Sequence, residues 1–302
     1  MIAPTKVGQA GRYVLLLLAM AAVASAQVDW YGYYEAEGDY FQLPSGGLYF
    51  GSNKLRVDLE ANPSDHIRVG ADVIYKSYDG QTRLNFMDFL PQSRWPVSPT
   101  GDTLTFYELA FEDTLFLDNV YLDFHHPRFD LTLGRQQISP GVGYAWNPTD
   151  IFNIKDILDP TYEQTGVRAV RLGIPLGATF GFTGIIQPGP TWRESTQFYQ
   201  AKASLGRFDL AVLYGIQRWT ETGLLAAVTK TRDLGGLNLE GELAGMGVRA
   251  ELAVNRLDYA SDNLYYEYVL GLDFTFESSL YLLAEYLHND FGTAPEEITF
   301  DD

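Results

Sequence analysis

From residue 27 onward, apolar and polar side chains alternate along the chain in short runs bounded by turn formers. In Leu55-Arg-Val-Asp-Leu-Glu-Ala61 the odd positions are apolar and the even ones charged, the period-2 pattern of a strand with two unlike faces. Ile67-Arg-Val-Gly-Ala-Asp-Val73 repeats it after Asn62-Pro63-Ser64-Asp65, so the two runs predict a hairpin. The same unit recurs at 120–124 with 129–138, 167–172 with 178–186, 199–203 with 208–216, 237–243 with 248–254, and 266–276 with 280–286. Residues 30–37 supply a first strand, and no helical 3.6-residue period lasts beyond one turn.

Between these tight turns lie longer connections, at 38–47, 78–116, 139–165, 187–197, 218–236 and 258–264. Short and long connections alternate strictly. A β-sandwich has no reason to sort its loops this way, whereas an outer-membrane barrel has short periplasmic turns and long extracellular loops. About thirteen strands also form too wide a ring to fill with side chains, as small soluble barrels do. The expected fold is therefore all-β, an antiparallel transmembrane β-barrel with 13–14 legible strands. Because single-chain bacterial barrels have even strand numbers, the complete protein is expected to hold 14–18, and the chain to be C-terminally incomplete.

Composition narrows the address. Among 302 residues there is no cysteine, so no disulfide or thiol chemistry supports an exported fold. The formal net charge of -18 disfavours nucleic acid as a partner. Lys6 and Arg12 precede an apolar run from Tyr13 to Val23 that ends in Ala24-Ser25-Ala26. That run is short of the ~20 residues of a spanning helix and has the order of a cleaved secretory leader, residues 1–26. Residues 27–302 then form the barrel, in the outer membrane of a Gram-negative-type envelope.

With the apolar face toward lipid, inward parity falls on Arg56, Arg68, Lys76, Arg171, Lys202 and Arg249. It also falls on Asp58, Glu60, Asp72, Asp123, Asp130, Asp209, Glu240, Glu242, Glu251, Glu267, Asp273 and Glu285. Most of these are expected to pair across strands and hold register, while the acidic excess would bias a pore toward cations. The clusters Tyr31-Tyr33-Tyr34 and Tyr265-Tyr266-Tyr268 suit interfacial girdles. Arg135 breaks the pattern, since it shares parity with Phe129, Leu131 and Leu133. In lipid near the midplane it would cost roughly 2–4 kcal/mol, so either a bulge at Gly134 turns it inward or it lies at the polar rim.

Gly134-Arg135-Gln136-x-Ile138, then Gly141-x-Gly143, Trp146-Asn147-Pro148-Thr149-Asp150 and Phe152-Asn153, resembles a porin-like family of bacterial outer-membrane barrels, largely uncharacterised. The resemblance implies a barrel with a channel role. By analogy with general porins, the third extracellular loop, 139–165, either folds inward and narrows the lumen or caps the barrel from outside. In the first case Trp146, Asn147 and Asp150 line the constriction, with Arg135, Asp58, Glu60, Asp72, Asp123, Arg171, Glu240, Glu242 and Glu251 along the pore.

No enzyme motif, metal-ligand spacing or cofactor site is evident in the sequence. His125-His126 sits in a predicted periplasmic turn, and His288 has no recognisable Ser or Asp partner. The expected function is diffusion of small hydrophilic solutes or ions, with lipid as the surrounding partner and a homo-oligomer compatible with the class. A substrate-specific importer or exporter and a non-conducting structural or adhesive barrel stand beside it.

Overall fold

The computed structural model describes residues 28–43, 46–85, 108–153, 165–222, 227–258 and 264–290. They form fifteen strands and no α-helix. In chain order these are β1 (Val28–Leu43), β2 (Gly46–Ser64), β3 (Ile67–Gly80), β4 (Arg83–Asn85), β5 (Glu108–Ala110), β6 (Thr114–His126), β7 (Phe129–Gln136) and β8 (Val167–Leu176). There follow β9 (Phe180–Gln187), β10 (Thr196–Leu205), β11 (Phe208–Thr222), β12 (Ala227–Leu243), β13 (Met246–Leu257), β14 (Leu264–Thr275) and β15 (Tyr281–Asn289). Thirteen pair antiparallel in one sheet, ordered β1-β2-β3-β6-β7-β8-β9-β10-β11-β12-β13-β14-β15, and β4 with β5 makes a separate ribbon. Each strand read from the alternation is present.

The strands outrun the alternation that announced them. The expected long connection 38–47 is mostly strand, since β1 runs to Leu43 and β2 starts at Gly46. The expected connection 218–236 is likewise taken up by β11 and β12, which pair from Phe208↔Gly241 to Thr222↔Ala227 without a slip. A ladder needs only paired N–H and C=O groups, so it continues where neither face is buried and alternation has no cause. β1, exposed along nearly its whole length, is such a strand. Part of 78–116 forms the β4–β5 ribbon, with Arg83 opposite Ala110.

The described residues divide into two compact units, one running to Pro63 and including Val69–Val120, the other including Ser64–Arg68 and the chain from Tyr121 on. In the first, Leu55 and Leu59 are exposed while Arg56 and Asp58 are 9% and 6% exposed. This inverts the soluble rule that leucine hides and aspartate shows. Arg56 donates to Asp58 at 2.6 Å and to Asp72 at 2.8 Å, and Asp118 lies 3.7 Å away. In β6, Leu115 and Leu117 face out, Asp118 and Asn119 are both buried, and Val120 faces out again. The alternation slips by one there, as a bulge makes it do.

The second unit repeats the inversion. Leu210, Val212 and Tyr214 of β11 are exposed, and Ala211 and Leu213 between them are buried. Leu270 and Leu272 of β14 are exposed and Val269 is not. So continuous an apolar outer stripe requires an apolar solvent. The tyrosine clusters divide between faces: Tyr266 and Tyr268 share the outer parity of Leu270, while Tyr265 shares that of Glu267, so only part of each cluster can serve as a girdle. The β7–β8 register runs unbroken from Asp130↔Gly173 to Gln136↔Val167, which removes the bulge considered at Gly134. Arg135 instead lies at the penultimate position of β7 with outward parity, where its Nε donates to the Gly166 carbonyl at 2.8 Å. It is a rim residue and not a pore-lining one.

The β12–β13 turn carries Ala244 at φ 53 and Gly245 at φ 82, the two positive values of a two-residue primed hairpin turn. An alanine costs roughly 1–2 kcal/mol in that region, and asparagine tolerates it better. Ala244→Asn is expected to raise stability by up to ~1 kcal/mol, measured as a higher urea midpoint for reversible folding into liposomes. An unchanged or lower midpoint would rule out this turn geometry.

Candidate functional site

The chain that follows β7 does not leave the sheet at once. Its first part, through Asn153, lies along the polar face of the second unit and is bonded to strands as distant in the order as β15. Gly141-x-Gly143 makes this possible: a β-carbon on Gly143 would run into the Trp146 carbonyl oxygen, and one on Gly141 would crowd Asn147. The freed backbone presents its N–H groups to one carboxylate. Glu251 of β13, 2% exposed, accepts from the amides of Val142 at 2.5 Å and Gly143 at 2.6 Å through Oε1. Its Oε2 accepts from the Thr149 amide at 3.2 Å and the Thr149 hydroxyl at 2.8 Å.

A second carboxylate extends the grip, because Glu285 of β15 accepts from the Tyr144 amide and, at 2.6 Å, from the Ala145 amide. The loop's carbonyls are met by strand donors. Asn238 of β12 donates to the Pro140 carbonyl at 3.1 Å, Arg232 to that of Pro148 at 3.2 Å, and Gln217 of β11 to that of Ile151 at 3.0 Å. Backbone groups that a loop ordinarily leaves to water are here satisfied by the sheet.

Apolar side chains dock the other end. Ile138, Ile151, Ala169, Ile185, Phe198, Leu213, Leu234 and Ala253 form one buried cluster, with Phe152 and Val167 against it. Six of these come from inward positions of β8 to β13, where a charged lumen would be expected. Ile138, Ile151 and Phe152 of the loop cover that patch, Phe152 meeting Phe198 edge-on at 5.7 Å. Burying each such side chain is worth about 1.5–3 kcal/mol, more than a neutral hydrogen bond of the loop at about 0.5–1.5 kcal/mol and comparable to one of its bonds to a carboxylate.

Asp150, expected to present its carboxylate at a constriction, is 6% exposed and closes a turn instead. Its Oδ1 accepts from the amides of Phe152 at 2.8 Å and Asn153 at 3.0 Å. Burial pushes its pKa up to about 6 against the relief given by these bonds. Trp146 and Asn147 are half-buried in the loop, and both amide atoms of Asn147 lack a hydrogen-bond partner among the described residues. The loop beyond Asn153, to residue 164, lies outside the described residues.

The remaining expected residues separate by environment. Asp58 and Asp72 are consumed by Arg56, and Asp123 takes both Nε (3.0 Å) and Nη2 (2.6 Å) of Arg68. Glu60 is half-buried, Glu240 is exposed on the inward parity of β12, and Arg171 is half-buried on β8. Glu242 lies next to the β12–β13 turn, paired with Arg207 at 2.9 Å, so it marks the sheet's end and not its middle. Residues that sequence reasoning did not assign to the site are Thr149, Asn238, Arg232 and the apolar cluster. Glu285 was recognised only by its inward parity, and Asp118 was hidden by the slip in the alternation of β6.

No protein-family model matches the chain, and no curated protein matches it. Among solved structures it is similar to OmpT, an outer membrane protein of Vibrio cholerae, in its trimer form, with TM-score 0.52 and 12% identity over 89% of this chain and 80% of that one. The loop L8 deletion mutant of the same Vibrio cholerae protein follows at TM-score 0.49 and 12% identity, over 89% and 84%. A porin structure follows at 0.43 and 12%, over 89% and 96%. At such identities only the fold is shared, and the first of the three carries that point. With the inverted faces and the antiparallel order, it defines the class by fold: an all-β antiparallel sheet of the transmembrane-barrel type with an apolar outer face.

Two outcomes follow for the loop. Glu251→Gln replaces one acceptor oxygen by an N–H₂ that faces donors, so loop docking should weaken by about 1–3 kcal/mol. Faster hydrogen exchange at Val142, Gly143 and Thr149 would register this, with exposed Glu240→Gln as the control; equal protection in both variants would refute the anchoring role. The second outcome concerns pH. A carboxyl whose native pKa lies above its unfolded one keeps a proton that the unfolded chain has released, so it destabilises the native state as pH rises. Asp150 should therefore loosen its turn between about 4 and about 6, and not below. Exchange at Phe152 and Asn153, corrected for intrinsic rates, should show protection falling over that window; rising protection would reverse the sign.

Proposed function

We propose that the protein is a porin-like outer-membrane channel through which small hydrophilic solutes diffuse, exported by a cleaved leader and acting without catalysis or cofactor. The observation that carries the reading is the first part of the β7–β8 loop, held on the polar face by Glu251, Glu285 and the apolar cluster. An ordered inner loop is what a diffusion channel needs to set a fixed aperture, and the sequence pattern of this loop is the one that resembles the porin-like family. A preference for cations is part of the proposal. Glu240 supports it, an exposed carboxylate at inward parity of β12.

Single-channel recording in planar bilayers under a KCl gradient tests both parts. The expected result is stepwise conductance with a reversal potential of cation-selective sign. Glu240→Gln should reduce that selectivity more than Asp150→Asn, because Asp150 is buried and its carboxylate oxygens are engaged by the loop. Anion selectivity would overturn the charge argument. Absence of conductance from properly inserted protein would favour the non-conducting structural barrel, in which the docked loop acts as a plug.

A further inference from the structure

Beside the docked loop, the polar face of β7 to β10 borders an open-sided cavity of about 300 Å³, at the small end of the range for small-molecule sites. Ile138, Pro140, Ile185 and Phe198 line its apolar part, and Arg171, Thr183 and Gln200 supply polar groups. We propose that this cavity binds a small organic monocarboxylate with an apolar body, the carboxylate on Arg171 and the body against the loop.

The argument starts from Arg171. On the same face, Arg68 has Asp123 at 2.6 Å, Lys202 has Asp209 at 2.8 Å, Arg232 has Glu267 at 3.5 Å, and Arg249 pairs with Asp273. Arg171 has no carboxylate partner among the described residues. Its hydrogen bond there is one of 3.2 Å from Nη2 to the Thr132 hydroxyl, which leaves most of its five donors for something else. Beside these four inner-face cations, each with an acid, Arg171 stands apart, and a guanidinium fork is the side chain suited to a carboxylate.

Asp130 sets the charge limit. It pairs in register with Gly173, as Thr132 does with Arg171, so it is a diagonal neighbour of Arg171 on the same face and also lines the cavity. Its Oδ1 already meets His125 Nδ1 at 2.9 Å. One ligand carboxylate would be balanced by Arg171, whereas a second anionic group would face Asp130 without compensation. A monoanion is thus favoured over a dianion, and the apolar wall favours a ring or branched alkyl body over a sugar. The site stands apart from conduction: it concerns equilibrium binding and holds whether or not the barrel is open.

The probe is benzoate, titrated by calorimetry into the full-length protein in detergent, with benzamide as its neutral isostere and phthalate as the dianion. Saturable benzoate binding is expected, with benzamide and phthalate each at least about tenfold weaker, a factor equal to ~1.4 kcal/mol. Arg171→Gln should lose about tenfold or more for benzoate, and Arg171→Lys should fall between, since it keeps the charge without the fork. Heat-modifiable gel migration checks that each variant folds. Should Arg171→Gln fail to fold, Gln200→Glu places a carboxylate in the cavity with Arg171 intact and should also weaken benzoate about tenfold. No saturable benzoate binding, benzamide equal to benzoate, or unchanged affinity in the folded variants would overturn the proposal.

Discussion

A backbone that crosses hydrocarbon must satisfy every N–H and C=O within the protein, because each group left over costs several kcal/mol. The unbroken registers from β7 to β15 follow from that constraint. Ladders such as β12–β13, from Arg232↔Leu257 to Leu243↔Met246, run to the turn without a skipped residue. Once the backbone is fixed, the period of two fixes the side chains: leucine and tyrosine on the outer face, carboxylates and guanidinium groups on the inner. The charged face then has to neutralise itself. Arg68 with Asp123, Lys202 with Asp209 and Arg56 with its three acids are the local solutions.

A polar inner face has no core to hold a loop, and the β7–β8 loop is held by two devices that compensate for this. One is an apolar patch set into the charged face, on which Ile138, Ile151 and Phe152 pack. The other is Glu251, whose buried carboxylate is matched by three loop amides and a hydroxyl. Each depends on the other. The apolar contacts bring the loop close enough to exclude water from Glu251, and charge-assisted bonds to backbone N–H groups, stronger than neutral ones, fix which part of the loop lies there.

The fold was legible because alternation is a direct consequence of having two unlike faces. Thirteen strands, their order and most of the inward acids could be read from it. Strand ends could not, since β1 beyond Glu37 and the outer halves of β11 and β12 are ladder without alternation. Gly134 looked like a bulge because Arg135 had the wrong parity; the chain simply ends its strand there, and the guanidinium reaches the Gly166 carbonyl. Within the site, Trp146-Asn147-Pro148-Thr149-Asp150 was recognisable as an ordered loop. Which acid it would meet was not, because Glu251 lies about a hundred residues away, and no local signal separates it from Glu240 on the neighbouring strand.

Charge counted from sequence is therefore a poor guide to charge available in a lumen. Asp58, Asp72 and Asp123 are buried against arginines, Glu251 and Glu285 are taken by loop amides, and Asp150 by its own turn. In the proposed channel, an ion would meet the acids left exposed, Glu240 foremost, with Arg171 a local positive site among them. At physiological salt such charges act only over ~8 Å. The inner face is then a set of separate short-range fields rather than one uniform acidic surface, so a net preference for small cations and a site for an organic anion can coexist in the same barrel.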